Sequence, residues 1–339
     1  MAMSAQQAQE ATARLFRSIR AGRAWTRTQE AAASRPVACV AMTPGNDTAP
    51  VFMIPGAAGS ILQLAPVAGA MAVPMAIYAI RPRGLEADET PCETIRAMAE
   101  YSIGLIKGIR SQGPYLLVGY SAGGLVALEM AQQLCAAGDD VPLVVLLDTY
   151  PSRQSWPLRC HAEILMRQSV RAVWSLRRYT PWRAVRDAMR RLRSLSGYLA
   201  ASGVKGLQAP PVVAEGVSAA SRRVHLATYN AGEAYRPARY AGKVVFVQPE
   251  DVPNLEPRRP EHVWARFLSD FGVRRVPGSH LGLVEDGAPA TAEQIAQCLA
   301  EAGFCDPVFP LRPDDLVQRL QTFPDNPQPY TEPAQCLSG

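Results

Sequence analysis

The hexapeptide Gly119-Tyr120-Ser121-Ala122-Gly123-Gly124 puts one hydroxyl among small residues, directly after the apolar run 115–118 and at the start of a helical pattern. A serine at so tight a strand-to-helix turn needs small flanking residues, because its own backbone is strained and side chains beside it would strike the sheet or the helix. The same turn aims the free N–H groups of a helix start at any oxyanion forming next to the hydroxyl. This is a nucleophile elbow, and it suits acyl transfer through a covalent serine intermediate. Without a strand before it and a helix behind it, the motif would mark only a packing turn.

A serine hydroxyl needs a base, and the chain has four histidines from which to take one. His161 and His225 fall in or beside a long helical interval, and His262 lies in the helical pattern 260–267. His280 differs, for it follows the apolar run 273–276 in the short loop Pro277-Gly278-Ser279-His280. That loop lies at the C-terminal edge of the predicted sheet, where an imidazole can face the elbow. The acid that orients it is Asp148, which closes the run 144–147, or Glu250 or Asp251, just after the run 244–247. The chain order serine, acid, histidine fits all three, and position alone does not choose among them.

Positioning these groups requires a sheet. Short apolar runs at 51–54, 75–80, 115–118, 144–147, 244–247 and 273–276 alternate with amphipathic stretches such as 92–110 and 123–137. Continuously apolar strands between helices predict an α/β fold with a mostly parallel central sheet covered on both faces. One interval breaks the rhythm: the roughly ninety residues at 151–242 exceed what a crossover helix needs and predict a helical lid insertion over the catalytic edge. Residues 1–45 read as an N-terminal extension with a short basic helix at 11–24. Residues 46–303 read as the catalytic domain, and 304–339 as a Pro-rich tail with a helical candidate at 314–320.

Composition narrows the class. The 339 residues are 48% hydrophobic, enough for a sizeable core. The N-terminus lacks the unbroken apolar stretch of a secretory leader, and no run approaches eighteen apolar residues. A cytoplasmic enzyme without a membrane span is expected. The seven cysteines are scattered, with no C-x-x-C pair, which argues against a disulfide framework or a zinc site. No metal, cofactor or nucleic-acid partner is implied. The net charge of +5 is uneven, since 167–193 holds nine arginines and the single acid Asp187. That stretch reads as the solvated face of lid helices, or as a docking edge centred on Arg190 and Arg191.

From Val51 to about Gly303 the chain resembles the thioesterase domains of non-ribosomal peptide and polyketide synthases. The resemblance rests on Phe52-Met53-Ile54-Pro55-Gly56-Ala57-Ala58-Gly59-Ser60, Ile80-Arg81-Pro82-Arg83-Gly84-Leu85, residues 119–124, Leu146-Leu147-Asp148-Thr149-Tyr150-Pro151 and Gly278-Ser279-His280, in matching order and spacing. It departs at Pro55, where the family often has His, and in the length of the insertion. The resemblance implies the α/β-hydrolase fold and a Ser121, Asp148, His280 triad. It also implies an oxyanion hole at the N–H groups of Ala57 and Ala122, and acyl thioester substrates carried on the phosphopantetheine of an acyl or peptidyl carrier protein. Carrier proteins are acidic, which would suit Arg190 and Arg191. Starting at Met1 favours a free-standing enzyme over an excised synthase domain, and the extra segments favour release of a finished product over proofreading. A carboxylesterase with the same triad, or a decayed acyl-binding module, are the competing expectations.

Overall fold

A computed structural model of the chain describes residues 38–86, 88–178, 218–253 and 255–305. Seven strands form one sheet: β1 (Cys39–Thr43), β2 (Asn46–Ile54), β3 (Met75–Ile80), β4 (Leu116–Tyr120), β5 (Leu143–Leu147), β6 (Tyr240–Pro249) and β7 (Leu268–Val276). Their spatial order is β1-β3-β2-β4-β5-β6-β7. All neighbours run parallel except β1, which lies antiparallel to β3. The predicted sheet of mostly parallel strands between helices is what the chain forms.

The strands that read as continuous apolar runs do so because both faces are covered. Every residue of β4 and β5 is buried. On one face, α2 (Ile95–Ile109) and α3 (Ala122–Ala136) pack together over Phe52, Tyr115, Leu117 and Phe246. On the other, α1 (Ala65–Ala70) packs against α7 (Ala288–Glu301) over Val51, Met53, Val145 and Val247. Each large apolar side chain removed from water in these layers contributes about 1.5–3 kcal/mol. Thr94 caps α2 by accepting from the Ala97 amide at 3.1 Å, which starts the helix two to three residues later than its apolar pattern suggests.

The sheet begins earlier than the expected domain boundary at 45/46. Cys39 pairs with Ile80, and the Arg81 amide donates to Ala38 O at 2.7 Å. β1 is an edge strand whose residues are half-buried or exposed, so it carries no apolar run to announce it. The insertion also ends sooner than expected, because β6 starts at Tyr240. Its described parts are a 3-10 turn at Arg153–Ser155 and two helices, α4 (Leu158–Arg178) and α5 (Ala219–Ala234). A short α6 (Glu261–Trp264) precedes β7. The predicted helices at 11–24 and 314–320, and the arginines Arg190 and Arg191, lie outside the described residues. Among the described residues no helix is long and apolar enough to cross a membrane.

Candidate active site

Ser121 sits between β4 and α3 with φ +54° and ψ −124°, a conformation that side-chain-bearing residues rarely adopt. The flanking glycines explain how the turn closes. A Cβ on Gly119 would meet the Gly124 Cα at 2.4 Å, and one on Gly123 would meet the Pro55 carbonyl oxygen at 2.2 Å. The second glycine of the pair answers to another residue, since a Cβ on Gly124 would lie 2.0 Å from the Thr149 hydroxyl. That hydroxyl donates to the Ser121 carbonyl at 2.9 Å, while the Ser121 amide donates to Leu147 O at 2.9 Å. The serine is therefore fastened to both sides of Asp148, the residue between Leu147 and Thr149.

Asp148 ends β5 and also has positive φ, +45°. Its amide donates to Val247 O at 2.9 Å, which completes the parallel ladder, while the positive φ carries the chain off the sheet. His280 Nδ1 lies 2.7 Å from Asp148 Oδ2, with the carboxylate side chain 3% exposed and the imidazole 36% exposed. An ionised carboxylate can only accept, so Nδ1 carries the hydrogen and Nε2 keeps the lone pair a base needs. The structure thus brings together Asp148 and His280, 132 residues apart, at the edge where Ser121 leaves β4.

A residue that sequence reasoning passed over holds the imidazole from beneath. Tyr120 stacks on His280 with ring centroids 5.0 Å apart at 27°, and its hydroxyl donates to His280 O at 3.1 Å. Burial first, then the charges of Asp148 and Glu285, push the tyrosine hydroxyl upward, so it stays a protonated donor. The signal was in plain view, as the residue before Ser121.

The remaining candidates fall elsewhere. His161 packs near Trp156 at 6.1 Å between centroids, and burial lowers both His161 and His225, the latter on α5. His262 lies on α6, where its carbonyl accepts from Arg159 at 3.1 Å. Glu250 and Asp251 have exposed side chains, and what they contribute is backbone: their amides donate to Val276 O at 2.9 Å and Gly278 O at 3.0 Å. Those two bonds pin the loop that carries His280. A third carboxyl on the same connection, Glu256, is half-buried and is pushed up to about 7, by burial first and then by the charge of Asp148, with His280 and Arg153 opposing.

The loop after β2 approaches Ser121. A Cβ on Gly56 would fall 3.4 Å from the Ser121 Cβ, so bare backbone meets the serine there. Ala57 follows in a half-buried turn, closed by the Gly59 amide donating to Gly56 O at 2.9 Å. Ala122 is the first residue of α3, where an amide has no partner within the helix. A cleft opens beside these residues, running from Pro55, Gly56 and Gly123 to Pro82, Arg83 and Val224. The motif at 80–85 is braced from within: Arg81 and Glu89 form two hydrogen bonds of 2.8 Å, and the Gly84 amide donates to the same carboxylate at 2.9 Å. The arginine holds the Glu89 carboxyl down at about 2. Among the described residues no cluster of three or more His, Cys, Asp or Glu could hold a metal.

A mostly parallel sheet with a strained serine at the end of β4, and an Asp–His pair at the ends of β5 and β7, is an α/β-hydrolase fold. The chain belongs to the thioesterase-domain family, whose model, described as "Thioesterase domain", matches residues 49–299. The chain is 40% identical over 98 residues to indigoidine synthase of Streptomyces lavendulae, covering 29% of this chain and 8% of that protein. It is 35% identical over 113 residues to the nonribosomal peptide synthetase btyA of Aspergillus terreus, covering 33% and 12%. The chain thus spans only a small part of the curated relatives it matches. Its fold is similar to the crystal structure of the NocB thioesterase domain from the nocardicin cluster, with TM-score 0.52 and 20% identity over 78% of this chain and 100% of that one.

Proposed function

We propose that the chain is a serine thioesterase that releases an acyl, peptidyl or polyketide chain from the phosphopantetheine arm of a carrier protein. The observation that carries this reading is the 2.7 Å contact between His280 Nδ1 and Asp148, at the edge where the strained Ser121 leaves β4. Ser121 Oγ attacks the thioester carbonyl and His280 Nε2 takes its proton, while Asp148 stabilises the imidazolium. The N–H groups of Ala57 and Ala122 receive the oxyanion. Collapse expels the thiolate, which takes the proton from His280 to leave as the thiol, and an acyl-serine remains. Water or another nucleophile, activated by the same imidazole, then releases the acyl group and restores the hydroxyl.

The reading calls for no metal or diffusible cofactor, since the pantetheine arm arrives with the substrate. An acidic carrier would dock on the arginine-rich stretch of sequence that includes Arg190 and Arg191. In this reading the protein works in the cytoplasm.

The test pairs acyl-pantetheine thioesters with simple esters of the same acyl groups and follows products by mass spectrometry. Higher kcat/KM on the thioesters is expected, with product masses telling hydrolysis from cyclisation. Turnover of esters alone would make the chain a carboxylesterase. Silence with both substrate classes would make it a binding module.

A further inference from the structure

The geometry of the site gives the substrate a direction, on the thioesterase reading above. The departing thiol must receive its proton from His280, so it leaves on the side of β5 to β7. The space left for the acyl chain lies on the other side of Ser121, past Gly56 and Gly123 towards the ends of β2 and β3. That is where the cleft lies. It contains about 470 Å³ of space between atoms, part of it open to solvent.

The walls are apolar, with Ile54, Ile80, Met98 and Val126 among them, yet among the described residues the lining includes one full charge, Arg83. Two residues earlier, Arg81 is buried and neutralised by Glu89 and Glu86. Arg83 is exposed, and among the described residues it enters no hydrogen bond or ion pair. Its charge bears on two other residues of the lining, Cys92 and Tyr101. A cation at the rim of an apolar cleft pairs with an anion without disturbing the apolar contacts along the walls.

We propose that Arg83 is a specificity-determining residue that binds a carboxylate at the far end of the acyl group, so that the preferred substrates are acyl thioesters ending in an anion. The phosphate of the pantetheine arm is the other anion in such a substrate. It is attached to the thiol and so travels on the His280 side, away from Arg83.

The experiment compares N-acetylcysteamine thioesters, which carry no phosphate, of a six-carbon acyl chain ending either in methyl or in carboxylate. Wild type is expected to favour the carboxylate by about tenfold in kcat/KM, mostly through KM. Arg83→Gln should bring the ratio to about one, and Arg83→Glu should invert it. A ratio that the two variants leave unmoved would overturn the proposal. So would a defect seen only with phosphopantetheine-borne substrates, which would assign Arg83 to the arm. Binding of the corresponding non-hydrolysable amides to Ser121→Ala, with and without Arg83→Gln, gives a readout that does not need turnover. If neither thioester is turned over but the carboxylated amide binds in an Arg83-dependent way, the thioesterase reading falls and the anion site stands. If the amides bind equally, the anion site falls.

Discussion

Ser121→Ala is expected to lose turnover of acyl-pantetheine thioesters by roughly a million-fold while melting as a folded protein. The loss is that large because nucleophile, base and acid act as a unit, leaving only what oxyanion and substrate binding provide. The fold survives because the Ser121 side chain makes no capping bond to α3, and the strain resides in the backbone, which alanine shares. Intact-protein mass spectrometry after mixing with substrate should show an acyl adduct on wild type and none on the variant. Retained turnover in Ser121→Ala would refute the nucleophile.

Asp148→Asn should cost about 10⁴ in kcat, less than the serine variant and different in cause. An asparagine keeps the shape of the contact at 2.7 Å but offers its NH₂ to Nδ1, which turns the imidazole to the tautomer whose Nε2 carries a hydrogen and cannot accept one. Glu250→Gln and Asp251→Asn are the controls, expected to stay within about twofold, as both side chains are exposed and only their amides hold the histidine loop. A large loss in either control, with Asp148→Asn active, would move the acid to the β6 connection. Steady-state kinetics on one thioester decides between them.

That choice of acid marks the limit of what the sequence reveals. The elbow and the histidine loop were legible because each is a local pattern: small residues around a serine, and a Pro-Gly-Ser-His turn after an apolar strand. The acid was not local. Asp148, Glu250 and Asp251 all follow apolar strands, and what separates them is where the chain turns: φ of +45° at Asp148 goes with a buried carboxylate 2.7 Å from His280 Nδ1, while the side chains of Glu250 and Asp251 are exposed. Only the family resemblance pointed to Asp148. The central strands were legible through their full burial, and β1 was missed because an edge strand needs no apolar run. The Tyr120 stack, the Arg81–Glu89 brace and the raised carboxyl of Glu256 all depend on contacts between segments distant in the chain or turned back on themselves, and no spacing rule reports those.

The left-handed backbone at Ser121 carries an evolutionary consequence as well. A non-glycine residue held there costs on the order of 1–3 kcal/mol, more than the extra flexibility glycine brings to the unfolded chain. Ser121→Gly should therefore match or exceed wild type in Tm by calorimetry while being inert, and a lower Tm would show that the elbow is not strained. A population selected only for thermal robustness would drift towards glycine at this position, and the serine persists only while its hydroxyl is in demand.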